Sequence, residues 1–148
     1  MMNIEKYLET HDHLVYSNKG VSMLPMLKEG RDLMIVRRKL PDERLKKYDV
    51  AIYIRPPHAY VLHRIIKAEE DGYVFLGDNC ENKEYNIREE QVIAVMTAFV
   101  HKGRQIDINN RGYRFYSRFW YHIFPLRMAW RKSKRFIKRV LRKLVGRK

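Results

Sequence analysis

The chain has a single cysteine, Cys80, which excludes an internal disulfide and suits a reducing compartment. No stretch approaches the roughly 20 consecutive apolar residues that a spanning helix needs. The first ten residues carry Glu5, Lys6 and Glu9 and no apolar run, so they read as neither a signal peptide nor a membrane anchor. There is no internal repeat and no low-complexity linker. Metal-ligand spacing is also lacking: His11 and His13 flank Asp12 in a polar stretch, and His58, His101 and His122 pair with no cysteine or acid at a ligand-like interval. The expectation is a chain without metal or cofactor. Acidic residues are absent from one region altogether. Between Arg111 and Lys148 there are 14 Lys/Arg and no Asp or Glu, against 17 of each sign in residues 1–110. The formal net charge of +14 therefore lies wholly in the tail.

What is present reads as one domain with a basic appendix, divided at residues 1–110 and 111–148. A length of 148 residues is enough for one real core. Asn3–Glu9 has helical spacing at Ile4, Tyr7 and Leu8. Short apolar runs at 14–16, 33–36, 49–54, 60–66, 73–76 and 91–100 are of strand length, with Gly, Pro and charged turns between them. About six such strands imply a mainly β, antiparallel domain. After residue 110 the period changes. Phe115, Phe119, Trp120, Ile123 and Phe124, then Phe136, Ile137, Val140, Leu141, Leu144 and Val145, recur at helical spacing, with Arg135, Lys138, Arg139, Arg142 and Lys143 on the other face. The tail is expected to be a basic amphipathic helix, or two with a kink at Pro125.

Three stretches carry the chemistry: Gly20-Val21-Ser22-Met23-Leu24-Pro25-Met26-Leu27, Val61-Leu62-His63-Arg64-Ile65-Ile66 and Phe75-Leu76-Gly77-Asp78-Asn79. A serine hydroxyl attacks a carbonyl only when a base takes its proton, and an imidazole with an ordinary pKa of about 6.5 is neutral enough to do so. A carboxylate behind the imidazole fixes its tautomer. These residues predict Ser22 as nucleophile, His63 as base and Asp78 as its orienting acid, with backbone N–H groups near Ser22 stabilising the oxyanion. Pro25 would stiffen the serine loop. Each residue also has an ordinary structural reading, because turn serines, strand histidines and Gly-Asp-Asn turns are common. Cys80 is a rival nucleophile, set among carboxylates that would raise its pKa.

Ser22-Met23-Leu24-Pro25-Met26-Leu27 resembles the Ser-Met-x-Pro-x-Leu box of type I signal peptidases, a family grouped with LexA-like self-cleaving repressors. Asp49-Val50, His63-Arg64-Ile65-Ile66 and Gly77-Asp78-Asn79 follow in the order of that family's later boxes, and the resemblance covers about residues 14 to 100. It implies a signal-peptidase-like β fold and hydrolysis of peptide bonds, with Met23 and Pro25 supporting the loop. Many relatives use lysine as base. His63 before Arg64 resembles the endoplasmic-reticulum and archaeal-type Ser–His branch, in which a second acid would fall near Glu84, with Glu81 beside it. Two departures stand out: Gly20 occupies the place of a serine that often donates to the oxyanion, and no membrane anchor is visible.

The resemblance thus implies a serine peptidase acting on a signal- or leader-like peptide precursor, on the cytoplasmic side or peripheral to the inner face of the membrane. Two alternatives stay open: a self-cleaving regulator, and a non-catalytic membrane-binding module with a peptidase fold. The tail suits an anionic membrane surface, at about 1 kcal/mol per basic residue near the lipid. Packing on the β domain and nucleic-acid binding are the other two readings, the last less favoured because phosphate neutralisation needs no apolar stripe.

Overall fold

A computed structural model describes residues 3–145. Val50, Ala51, Ile52 and Tyr53 follow one another without a polar break, and successive side chains of a strand point to opposite faces. A strand built from them must be covered on both sides, and it is. Val50 and Ile52 join Met34, Val36, Leu62 and Met96 in one core. Ala51 and Tyr53 join Ile65, Tyr73, Phe75 and Val95 in another.

In chain order the elements are α1 (Ile4–Thr10), β1 (Leu14–Ser17), β2 (Leu33–Arg38), β3 (Val50–Arg55), β4 (Ala59–Glu69), β5 (Gly72–Leu76), β6 (Glu84–Arg88), a 3₁₀ turn (Glu89–Gln91), β7 (Val92–His101), β8 (Arg104–Asp107), α2 (Arg111–His122) and α3 (Phe124–Val145). The eight strands form one antiparallel sheet in the order β1-β2-β7-β3-β4-β5-β6. β2 lies along one edge of β7, while its other edge is shared by β3 at Val92–Val95 and β8 at Ala98–His101. Register shifts in four of the pairings bend the strands, and the sheet curls. The mainly β antiparallel fold with a C-terminal helical tail agrees with the sequence expectation.

β6 and β8 were not expected. Both are polar and sit at sheet edges, and Ile87 is the one buried residue of β6, so neither shows an apolar run. α1 starts where its cap allows: Asn3 Oδ1 accepts from Lys6 N at 3.0 Å, and Ile4 and Leu8 are buried. The tail breaks at Ile123, and Pro125 falls in the first turn of α3, where a missing N–H leaves no helical bond unmade. α2 belongs to the core of the domain. Its Tyr113 and Ser117 are buried, and the Tyr113 ring packs 5.3 Å from that of Phe99. Among the described residues no helix is long and apolar enough to cross a membrane.

Candidate active site

Ser22 lies in the loop between β1 and β2. Met23, Met26 and Leu27 form its buried underside at helical spacing, and Leu27 N donates to Met23 O at 2.9 Å. Three anchored apolar side chains thus hold a tight turn that leaves Ser22 half-buried and Val21 and Pro25 exposed. Met23 supports the loop from within the core. Gly20 has φ +81°, a left-handed conformation that costs a side chain energy, and its N–H donates to Glu29 Oε2 at 2.8 Å. The backbone at this position accounts for the glycine.

The Gly77–Cys80 turn follows β5 and is bonded directly to the serine loop. Asn79 N donates to Ser22 O at 2.7 Å, and Asn79 Nδ2 donates to Val21 O at 3.1 Å. Gly77 lets this turn approach the imidazole. A Cβ there would stand 2.6 Å from Cys80 Sγ and 2.8 Å from His63 Nε2.

His63, on β4, is buried. Its Nδ1 lies 3.1 Å from Glu84 Oε1 and 3.2 Å from Tyr53 Oη. A carboxylate at Nδ1 places the proton there and leaves the Nε2 lone pair free to accept one. Burial lowers the His63 pKa, against the opposing pull of Glu84. Burial alone would raise Glu84, but hydrogen bonds from Arg55 and Tyr53 and the nearby imidazole hold its carboxyl below the usual range. Arg55 Nε donates to Glu84 Oε2 at 2.9 Å.

Asp78 does not take the role expected of it. Arg64 Nε and Nη2 donate to its two oxygens, each at 2.8 Å, and Tyr116 Oη donates to Oδ2 at 2.9 Å. The reason is strand geometry. His63 and Arg64 are adjacent on β4 and point to opposite faces, so the imidazole meets Glu84 while the guanidinium meets Asp78. Arg64 also donates to Tyr48 O, Tyr113 Oη and Ser117 Oγ, which fixes α2 to the domain. Glu84 is the acid beside the histidine, and Glu81 points away to Arg135.

Ser22, His63, Cys80, Arg55 and Lys19 line one cleft of about 380 Å³. Among the described residues no hydrogen bond joins Ser22 Oγ to His63, and the group in contact with Nε2 is Cys80 Sγ at 3.8 Å. Burial, with the charge of Glu84, pushes the Cys80 thiol up, so it faces the imidazole as a protonated donor. The backbone N–H groups of Ser22 and Met23 meet no acceptor among the described residues. Tyr53, Arg55 and Tyr116 carried no signal in the sequence: each lies in or beside a stretch read as structure, and their roles depend on partners 29 or more positions away (Arg55–Glu84, Tyr116–Asp78) or on a cross-strand neighbour (Tyr53–His63). No family model, curated protein or solved structure matches the chain.

Proposed function

We propose that the protein is a serine peptidase of signal-peptidase-like type that cuts a peptide precursor by a Ser–His mechanism. The observation that carries this reading is a buried imidazole with Nδ1 on a carboxylate, on a residue that lines the same cleft as Ser22. In this mechanism His63 Nε2 accepts the Ser22 proton as Oγ attacks the scissile carbonyl, then returns it to the leaving amine. Glu84 stabilises the imidazolium through Nδ1. Asp78 serves indirectly, by holding with Arg64 the turn that is bonded to the serine loop. Cys80 stands at the nitrogen that must receive the proton, and it yields that place when substrate closes the Ser22–His63 distance, since catalytic hydrogen bonds are often long before substrate binds. The free Cys80 suits a reducing compartment, and we place the enzyme on the cytoplasmic side.

The test is cleavage of a precursor-peptide library by purified protein, read by mass spectrometry. Ser22→Ala and His63→Ala are each expected to reduce turnover by roughly 10⁴-fold or more. Undiminished cleavage by Ser22→Ala would sink the assignment. The unbonded Ser22 Oγ favours one second reading, a binding module that keeps the fold without the chemistry. Wild type as silent as both variants is the outcome that reading requires.

A further inference from the structure

α3 turns its basic side to the domain and its apolar side to solvent. At about 100° per residue, Arg127, Arg131 and Arg135 share one side. Arg127 Nη1 donates to Asp78 O at 2.7 Å, Arg131 Nη1 to Asn79 O at 2.9 Å, and Arg135 Nη1 to Glu81 Oε1 at 2.7 Å. The domain face of the helix is thus an arginine ladder on the turn behind the cleft. Leu126, Trp130, Phe136, Ile137, Val140 and Leu141 occupy an arc of about 140° on the other side, with Leu126 72% and Trp130 63% exposed. Packing of the tail on the β domain, one of the readings of the sequence, holds for α2 and Phe124 and not for this α3 stripe.

We propose that this face is a docking surface for an anionic phospholipid bilayer, entered side-on by α3. The apolar arc is rimmed on one side by Lys134 and Lys138 and on the other by Lys132, Arg139 and Lys143, all exposed. That arrangement sets alkyl and indole groups at the depth of the acyl boundary with cations level with lipid phosphates. Charge decides among occupants. A second copy seated face to face would oppose two apolar arcs that each carry Lys132, Lys134, Lys138, Arg139 and Lys143 at their rims, with no Asp or Glu in the tail to pair them. Nucleic acid would use the cations and leave six large apolar side chains in water.

The docking face adjoins the serine loop: Leu24 and Pro25 line a groove with Trp130 and Arg131. If the peptidase reading holds, on which this clause rests, the substrate is a peptide carried at the lipid surface.

The full chain is to be co-sedimented with vesicles of phosphatidylcholine alone and of phosphatidylcholine mixed with phosphatidylglycerol, with tryptophan emission recorded. The expected result is at least about tenfold tighter binding to the anionic vesicles, with a blue shift. The Trp130→Ser/Ile137→Ser variant, altered only at exposed positions, is expected to lose at least about tenfold of that binding. Ser22→Ala should bind like wild type, so a failed peptidase reading leaves this result intact. The proposal is overturned by equal or absent vesicle binding, by unchanged binding of the double variant, by a dimer in sedimentation velocity that the same substitutions dissolve, or by duplex DNA capturing the protein while vesicles do not.

Discussion

Arg64 and Asp78 face each other through two hydrogen bonds of 2.8 Å, with both side chains 2% exposed. The guanidinium lies across the end of the β4–β5 pair, and the carboxylate begins the turn that is bonded to Ser22. A paired charge at this depth stays buried only while its partner remains. Asp78→Ala is therefore expected to destabilise the fold by about 3–5 kcal/mol, because it strands the Arg64 cation. Lysine should not replace Arg64, since one ammonium cannot make the paired bonds to Asp78. Tyr116→Phe removes one bond to the same carboxylate and should cost about 1–2 kcal/mol. Urea denaturation of the three variants checks the order.

Glu84→Gln separates the two acids by function. It leaves the Arg64–Asp78 pair untouched, so stability should change little, while peptidase turnover falls by about 10²–10⁴-fold for want of the tautomer-fixing carboxylate. A Glu84→Gln protein with full turnover would return the orienting role to another group.

The pH dependence follows from the buried imidazole. Burial lowers the His63 pKa, so the neutral base persists below the usual histidine range of about 6.5, and kcat/KM should fall only at lower pH. Glu84 favours the imidazolium, and its loss should move that acid limb lower still. The linkage has the same sign. Between the folded and unfolded pKa values the unfolded chain binds the proton first, so stability from this group is full above about 6.5 and is lost as pH falls through the folded value. Denaturation midpoints across a pH series, compared with those of His63→Gln, read this slope.

Gly77→Ala tests the close approach of turn and imidazole. The added methyl would meet Cys80 Sγ at 2.6 Å and His63 Nε2 at 2.8 Å, so both side chains must move or the turn must retreat. Turnover should fall by about 10²-fold or more from displacement of the base. Adding Cys80→Ala relieves only the sulfur contact, so the double variant should remain impaired.

Cys80→Ala alone should keep or raise turnover, because the thiol is protonated and occupies the Nε2 face without attacking. Turnover that disappears in Cys80→Ala and survives in Ser22→Ala would make Cys80 the nucleophile. Steady-state rates on one cleaved peptide distinguish the two.

Much of the fold was readable because burial leaves a mark in local sequence. The unbroken runs at Val50–Tyr53 and Val92–Met96 mark strands covered on both faces. Helical spacing marked both helical regions, and Asn3 and Asn110 cap the starts of α1 and α2. β6 and β8 escaped notice because a polar edge strand is specified by its neighbour's backbone groups, not by its own side chains.

The sequence by itself determined the mainly β domain, the helical period of the tail, its one-sided charge, and the residue types near one another in the three motifs. Tertiary structure decided which acid serves the histidine and which way the tail faces. Strand pleating sends His63 and Arg64 to opposite sides, so the acid fifteen positions along falls to the arginine, and Glu84, twenty-one positions along on β6, reaches the imidazole. Helical period separates a basic face from an apolar one in any setting. The carbonyls of Asp78 and Asn79, the Asn79 side chain and the Glu81 carboxylate draw the arginines inward and leave the apolar face outermost.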